Sequence, residues 1–237
     1  MEKQEGSGQQ GGQGEGTLLS IQVGKAQRRT MPAGVRVDFR NEVWTSGIFK
    51  GPVGGERVRV TRTGIAGDEQ ADLENHGGPD NVVLAYDADH YEVWRERLEM
   101  PELAYGSFGE NFTVRGFTDE SVCIGDVWQV GAGDAGPLLQ VTQPRQPCYK
   151  LARRLQQPHI VKMVHDNSWG GWYLRVLREG EAQAGMKILR VERPHPEWPV
   201  ATAVQTMYAR NKDELKARAL AELPALSRRW KEELVGM

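Results

Sequence analysis

The chain is poor in cysteine, with only Cys123 and Cys148 in 237 residues. A disulfide framework, a four-cysteine zinc ribbon and an iron–sulfur cluster held by four thiolates each need more. Such sparing use suits a reducing compartment. Long apolar runs are missing as well. No stretch approaches the ~18 residues that span a bilayer, and the N-terminus lacks the apolar core of a secretory signal. The expected location is the cytoplasm, with no membrane partner. Charge of one sign is not in excess: 30 Lys and Arg face 32 Asp and Glu, for a net −2. That gives no support for a protein that grips duplex nucleic acid by bulk electrostatics. Familiar chemical signatures are absent too. There is no Gly-x-Gly-x-x-Gly, no P-loop, no Gly-x-Ser-x-Gly elbow and no His-Glu-x-x-His.

What is present is a β-rich pattern behind a polar tail. Residues 1–16 are nearly all Gly, Gln, Glu and Ser, with nothing apolar after Met1. They cannot bury enough surface to offset their ordering entropy, so a disordered tail is expected. From Thr17, Leu19, Ile21 and Val23 alternate with Ser20 and Gln22, the period of a half-buried strand. Arg36 to Phe39, Glu42 to Ile48, Val58 to Thr61 and Val82 to Tyr86 read as extended. Phe112 to Val114, Asp126 to Val130, Leu138 to Thr142 and Met186 to Val191 do so as well. One clear helix has Asp87 as N-cap, Tyr91, Trp94 and Leu98 on one face and Pro101 as its stop. Leu151 to Leu155 fits a short helix, and Trp172 to Leu177 a strand or a helix. Many short strands with few helices predict a mainly β fold, a twisted and largely antiparallel barrel over residues 17–196.

Helix formers dominate residues 197–237. Val200 to Met207, Asp213 to Leu223 and Pro224 to Leu234 read as three short helices, with Asp213 as an N-cap and Pro224 at a first position. Helices this short are marginal alone. They are expected to form a small appendage packed on the barrel, on a second copy in a homodimer, or on another partner.

Four glycine-punctuated loops carry chemistry-bearing side chains. Trp44-Thr45-Ser46-Gly47-Ile48-Phe49-Lys50 is either a polar turn or a contact for an anion. His76-Gly77-Gly78-Pro79-Asp80-Asn81 is either a tight turn or a place where a ligand approaches the backbone. Upstream of it, Gly67, Asp68 and Asp72 show no metal-ligand spacing. Tyr105 to Phe112 contains glycines that would let Asn111 face a pocket. In Gln143-Pro144-Arg145-Gln146-Pro147-Cys148-Tyr149-Lys150, two prolines are expected to take the chain out of the sheet after Thr142. Arg145 and Lys150 flank Cys148, and cations favour a thiolate. Such a thiolate serves as a nucleophile or as a soft metal ligand, and a Cys–His hydrolase built from Cys148 and His76 is conceivable on residue types. Cys123, in an apolar segment, reads as a small buried hydrophobe.

In their order, Trp44-Thr45-Ser46-Gly47-Ile48, Gly67-Asp68, His76-Gly77-Gly78-Pro79-Asp80, Phe108-Gly109-Glu110-Asn111, Ile124-Gly125-Asp126 and Gln143-Pro144-Arg145-Gln146-Pro147-Cys148 resemble the MOSC-domain family, and within it the YiiM branch. Gly171 to Val176 and the three C-terminal helices fit the same branch. The resemblance implies a β-barrel holding a molybdenum cofactor (molybdopterin), with Cys148 as the protein's ligand to the metal. It implies Arg145, Lys50, Thr45 and Ser46 at the cofactor's phosphate and pterin edge. His76, Gly77, Asn81, Asn111 and Phe112 would line the cavity, with His76 as proton donor. The implied activity is reduction of small N-hydroxylated substrates, hydroxylamino purines and amidoximes, to amines. Electrons would come from a separate flavin or iron–sulfur reductase. The family also carries a general association with pyridoxal phosphate binding. A related reading is a cofactor-binding or sulfur-handling module without reductase turnover.

Overall fold

The computed structural model describes residues 14–35, 37–38, 42–71 and 78–236. The chain enters with β1 (Glu15–Val23), β2 (Gln27–Thr30), β3 (Val43–Ser46), β4 (Gly51–Pro52), β5 (Val58–Thr61) and β6 (Gly64–Ile65). β7 (Val83–Asp87) leads into α1 (His90–Arg97), followed by β8 (Phe112–Arg115), β9 (Val127–Val130) and β10 (Leu138–Pro144). After α2 (Tyr149–Leu155) and α3 (Ile160–Asn167) come β11 (Trp172–Arg178), β12 (Gly180–Ala182) and β13 (Lys187–Glu192). α4 (Val200–Tyr208), α5 (Glu214–Ala221) and α6 (Arg228–Val235) complete the chain.

Seven strands close a barrel in the order β13-β9-β10-β11-β7-β8-β1, with β1 pairing back to β13. Closure removes the unpaired edges that would otherwise invite association. Every pairing is antiparallel except β7 with β8, which run side by side across the α1 connection. The barrel interior is filled by the inward residues of alternating strands, among them Leu18, Ile21, Val114, Trp128, Val141, Trp172 and Leu174. Trp198, Val200, Met207, Leu220, Trp230 and Leu234 belong to that same apolar cluster, so the C-terminal helices share the barrel's core. A second cluster under α1, α2 and α3 gathers Trp44, Ile48, Tyr86, Trp94, Phe108, Leu151 and Val164.

Local chemistry shifts several element ends from their sequence reading. The N-cap of α1 is Asp89, because Asp87 is buried and accepts the Asp89 amide at 3.0 Å. The helix stops before Pro101, at Arg97, and Glu99 turns the chain at φ 53°. β10 does not end at Thr142: it runs through Pro144, which pairs with Trp172, and the next amide, Arg145 N, donates to Gly171 O at 2.8 Å. A proline at the last position of a strand forfeits little pairing. Residues 172–178 are a strand, paired on both sides. Asp213 does cap α5, accepting from Lys216 N at 3.0 Å. Pro224 does not open α6; Ser227 caps it, accepting from Trp230 N at 3.2 Å. The extended span expected at 36–39 falls partly outside the described residues.

Candidate functional site

Four segments distant in sequence converge on one cleft. They are the β3–β4 connection, the turn before β7, the loop before β8 and the link from β10 to α2. The cleft has a volume of ≈ 670 Å³, solvent-open space included. Ser46, Lys50, Asn81, Asn111, Arg145 and Cys148 all line it, with Phe108, Gln146 and Tyr173.

Cys148 is a free, half-buried thiol on extended backbone at the entrance to α2, φ −122° and ψ 172°. Cys123, also a free thiol, differs in its surroundings. It is buried, and burial first, then the nearby Asp126 charge, pushes its thiol up to about 11. Only Cys148 is placed to meet a ligand.

Arg145 is 6% exposed. Its Nη2 donates to Phe108 O at 3.2 Å, while its buried Nη1 has no partner. Among the described residues it forms no ion pair with a carboxylate. A buried cation with a spare donor is costly unless something accepts from it. An acceptor-rich anion in the cleft would meet that demand. The backbone holding Arg145 is packed tightly: a Cβ at Gly170 would lie 2.1 Å from Arg145 O, so no other residue fits there. Gly171 beside it has φ +73°, and a Cβ there would lie 2.3 Å from Ala85 O. A β-bulge between Val141 and Gln143 sets Gln143 opposite Tyr173. Trp172 and Leu174 enter the barrel core while Tyr173 lines the cleft, the alternation expected of a strand. Burial raises the Tyr173 phenol's pKa, with Arg145 opposing and Cys148 adding to the rise.

Asn81 contributes a second unmet group, a buried Oδ1 without a partner. Its carbonyl accepts Gln70 Nε2 at 3.1 Å, which steadies the turn. Ser46 Oγ accepts Ile48 N at 3.1 Å, leaving its hydroxyl hydrogen for another acceptor.

Other expected contacts are already committed. Lys50 Nζ bridges both Asp68 oxygens at 2.5 Å, each side chain less than a tenth exposed. Burial lowers the Lys50 pKa and the Asp68 charge works against that shift. Asp68 also accepts from Gly24 N at 2.9 Å and Asn111 Nδ2 at 2.9 Å. Asn111 further donates to Gln22 O at 3.2 Å and accepts from Leu84 N at 3.2 Å. Its amide is therefore spent as a strut rather than offered to a ligand. Two expected residues do not reach the cleft lining. Thr45 lies on the exposed face of β3, whose burial alternates so that Trp44 and Ser46 turn inward. Phe112 is wholly buried in the barrel core. His76 and Gly77 lie outside the described residues.

A buried acidic pocket adjoins the site but does not line it. His90 lies 3.6 Å from Asp87 and 3.8 Å from Asp119, and stacks on Trp169 at 4.2 Å. Burial lowers His90 to about 4, raises Asp87 to about 6 and raises Asp119 well above the carboxylate range.

A closed seven-stranded barrel with a half-buried thiol and an unsatisfied arginine in its cleft, followed by three helices, defines a class. The MOSC domain model matches residues 72–189, and the YiiM-like, 3-alpha helix domain model matches residues 198–235. The chain belongs to the MOSC-domain family, with the YiiM-like C-terminal helices. Among its relatives is "Uncharacterized protein YflK" of Bacillus subtilis (strain 168), 36% identical over 91% of both chains. A Gibberella moniliformis protein named "Reductase" is 35% identical over 83% of this chain, which spans 33% of that longer protein. The crystal structure of YiiM from Geobacillus stearothermophilus superposes with a TM-score of 0.74 at 33% identity, covering 92% of this chain and 97% of that one. MOSC domains are associated with the molybdenum cofactor in general, and the residues of this cleft suit such a group. The half-buried Cys148 thiol is a soft donor, and the unpartnered Arg145 Nη1 and Asn81 Oδ1 are a donor and an acceptor for a polar, anionic ligand.

Among the described residues, no helix is long and apolar enough to cross a membrane.

Proposed function

We propose that this cleft binds the molybdenum cofactor and that the protein reduces small N-hydroxylated compounds, such as hydroxylamino purines and amidoximes, to amines. The observation that carries the reading is the pairing of an accessible Cys148 thiol with a buried Arg145 whose second nitrogen has no acceptor. Cys148 would ligate the metal. Arg145 and Ser46 would hold the anionic and acceptor-rich parts of the cofactor, and Asn81 Oδ1 would accept from one of its N–H groups. When bound, the cofactor would supply the two-electron reduction that breaks the N–O bond. The balance is one N–O bond broken, one amine N–H formed and one water released, with two electrons and two protons consumed. A separate flavin or iron–sulfur reductase supplies the electrons.

The chain's own residues orient and protonate. Tyr173, partly exposed where it lines the cleft, would give it an aromatic wall for a planar substrate. His76, expected there from the sequence, would deliver a proton to the departing oxygen, since Lys50 is held in its buried pair with Asp68. The relative named a reductase supports redox chemistry over a purely sulfur-handling module. The Cys–His hydrolase reading rests on His76 reaching Cys148.

The test is to purify the protein from a host that makes the cofactor, then measure molybdenum, pterin and reduction of an N-hydroxylated base with a chemical electron donor. Metal and pterin near one per chain with turnover support the proposal. Metal and pterin without turnover would favour the binding-module reading. Thiol-dependent hydrolysis by metal-free protein would favour the hydrolase.

A further inference from the structure

The turn that carries Asn81 into the cleft is held from outside by the C-terminal helices. Asp80 Oδ1 pairs with Arg175 Nη2 at 3.0 Å, and Asp80 Oδ2 accepts from Arg228 N, the first residue of α6, at 3.2 Å. The Asp80 carbonyl accepts from Thr142 Oγ1 at 2.7 Å. Thr142 O in turn accepts from Ser227 N at 3.1 Å, and Ser227 Oγ donates to Gln143 Oε1. Arg175 Nη2 closes the circuit by donating to Ala225 O at 2.8 Å. Ser227 is 1% exposed and Gln143 6% exposed, so these bonds are not surface decoration.

Apolar packing alone would hold the helices on the barrel, but it is non-directional. Hydrogen bonds with angular demands fix register as well. Each anchored segment runs directly into the cleft wall. Asp80 is followed by Asn81, with its unpartnered Oδ1. Gln143 is followed by Pro144 and Arg145, and the same segment continues to Cys148. The start of α6 thus holds both arms that present the ligand-facing groups.

We infer that Asp80 and Ser227 are positioning residues, through which the C-terminal helices set the placement of Asn81, Arg145 and Cys148 at the cleft. The inference rests on reading the cleft as the cofactor site, and makes the three helices a working part of that site.

The experiment uses full-length Asp80→Ala, Ser227→Ala and Asp80→Glu beside the wild type. Two readouts bear on placement. One is molybdenum per chain after expression with limiting cofactor. The other is the rate at which iodoacetamide alkylates Cys148 in metal-free protein, with Cys123 as internal control. Thermal midpoints accompany both. In Asp80→Ala, Cys148 labelling is expected to change about fivefold, the range in which mutations along a coupled chain act. Molybdenum occupancy is expected to fall by about half or more on the same grounds. Ser227→Ala should move both in the same direction, and Asp80→Glu should recover part of each change. Cys123 labelling should stay constant. The inference is overturned if the alanine variants melt lower yet keep occupancy and Cys148 labelling near wild type, the outcome of a purely structural tie. If Asp80→Ala does not fold, Ser227→Ala decides alone. If the wild type takes up no molybdenum, the cofactor reading fails while the alkylation arm still decides positioning.

Discussion

At the scale of residues, the cleft separates groups that are spent from groups that are spare. Lys50 and Asn111 look like ligand contacts in the sequence, yet both are held by Asp68. Arg145 and Asn81 keep an unmet donor and an unmet acceptor. This difference predicts opposite mutant behaviour. Asp68→Ala should destabilise by about 3–5 kcal/mol, because it strands the buried Lys50 charge. Adding Lys50→Met should restore much of that loss, as thermal or urea unfolding of the single and double variants would reveal. Arg145→Met should fold normally and lose about 10–100-fold in cofactor affinity, the worth of roughly 1.5–3 kcal/mol for a charge-assisted bond. Equal affinity in Arg145→Met would show that the spare nitrogen serves no ligand.

The buried acidic pocket gives a residue-scale prediction in pH. His90 is held neutral, its folded pKa about 4. Its contribution to stability is complete above about pH 6.5 and is lost as pH falls through about 4. Asp87, raised to about 6, runs the other way: its contribution is present below the ordinary carboxylate pKa and is lost as pH rises through 6. Asp119, raised further, adds to that second trend. Between about pH 4 and 6 the rising His90 trend opposes the two falling carboxylate trends in the wild type and cancels only part of them. His90→Phe, which keeps a ring against Trp169, removes the rising one. Without the rising His90 trend, its melting temperature should fall more steeply than the wild type's as pH rises across that window. Parallel curves would contradict the assignment.

At the scale of elements, the alternating strands were readable because one face of each is buried. β5 follows directly from its period-two pattern, whereas in β1 a bulge between Leu18 and Ser20 buries Leu18 in place of the expected Leu19 face. β2 was not readable: Gln27-Arg28-Arg29-Thr30 has no buried face and is defined only by its pairing with β3. α3 was missed because its Ile160 and Val164 stripe is brief and framed by polar residues. The site shows the same division. Cys148, Arg145 and Ser46 were legible from loop chemistry. Tyr173 was hidden inside an apolar run whose strand-or-helix assignment decides which way it faces. The committed state of Lys50 was hidden too, because its partner Asp68 is set by tertiary folding. The bulge in β10 is the element that turns Gln143 and Tyr173 into register, a feature no local pattern announces.

At the scale of the whole molecule, the C-terminal helices are built into the barrel's core. Trp230 is 1% exposed within the cluster that holds Trp128 and Trp172. Trp230→Ala should cost about 3–5 kcal/mol and lower the melting point of the barrel along with the helices. A single cooperative transition shifted as one is the expected calorimetric result. Two separate transitions would show that the helices fold independently.

The central claim is that Cys148 anchors a molybdenum cofactor in this cleft. The most direct measurement is molybdenum and pterin per chain in wild type, Cys148→Ser and Cys123→Ser, all expressed in one cofactor-producing host. The account predicts near-stoichiometric metal in wild type and Cys123→Ser, and little or none in a folded Cys148→Ser protein. Wild-type protein without molybdenum, or a Cys148→Ser protein that retains it fully, would contradict it.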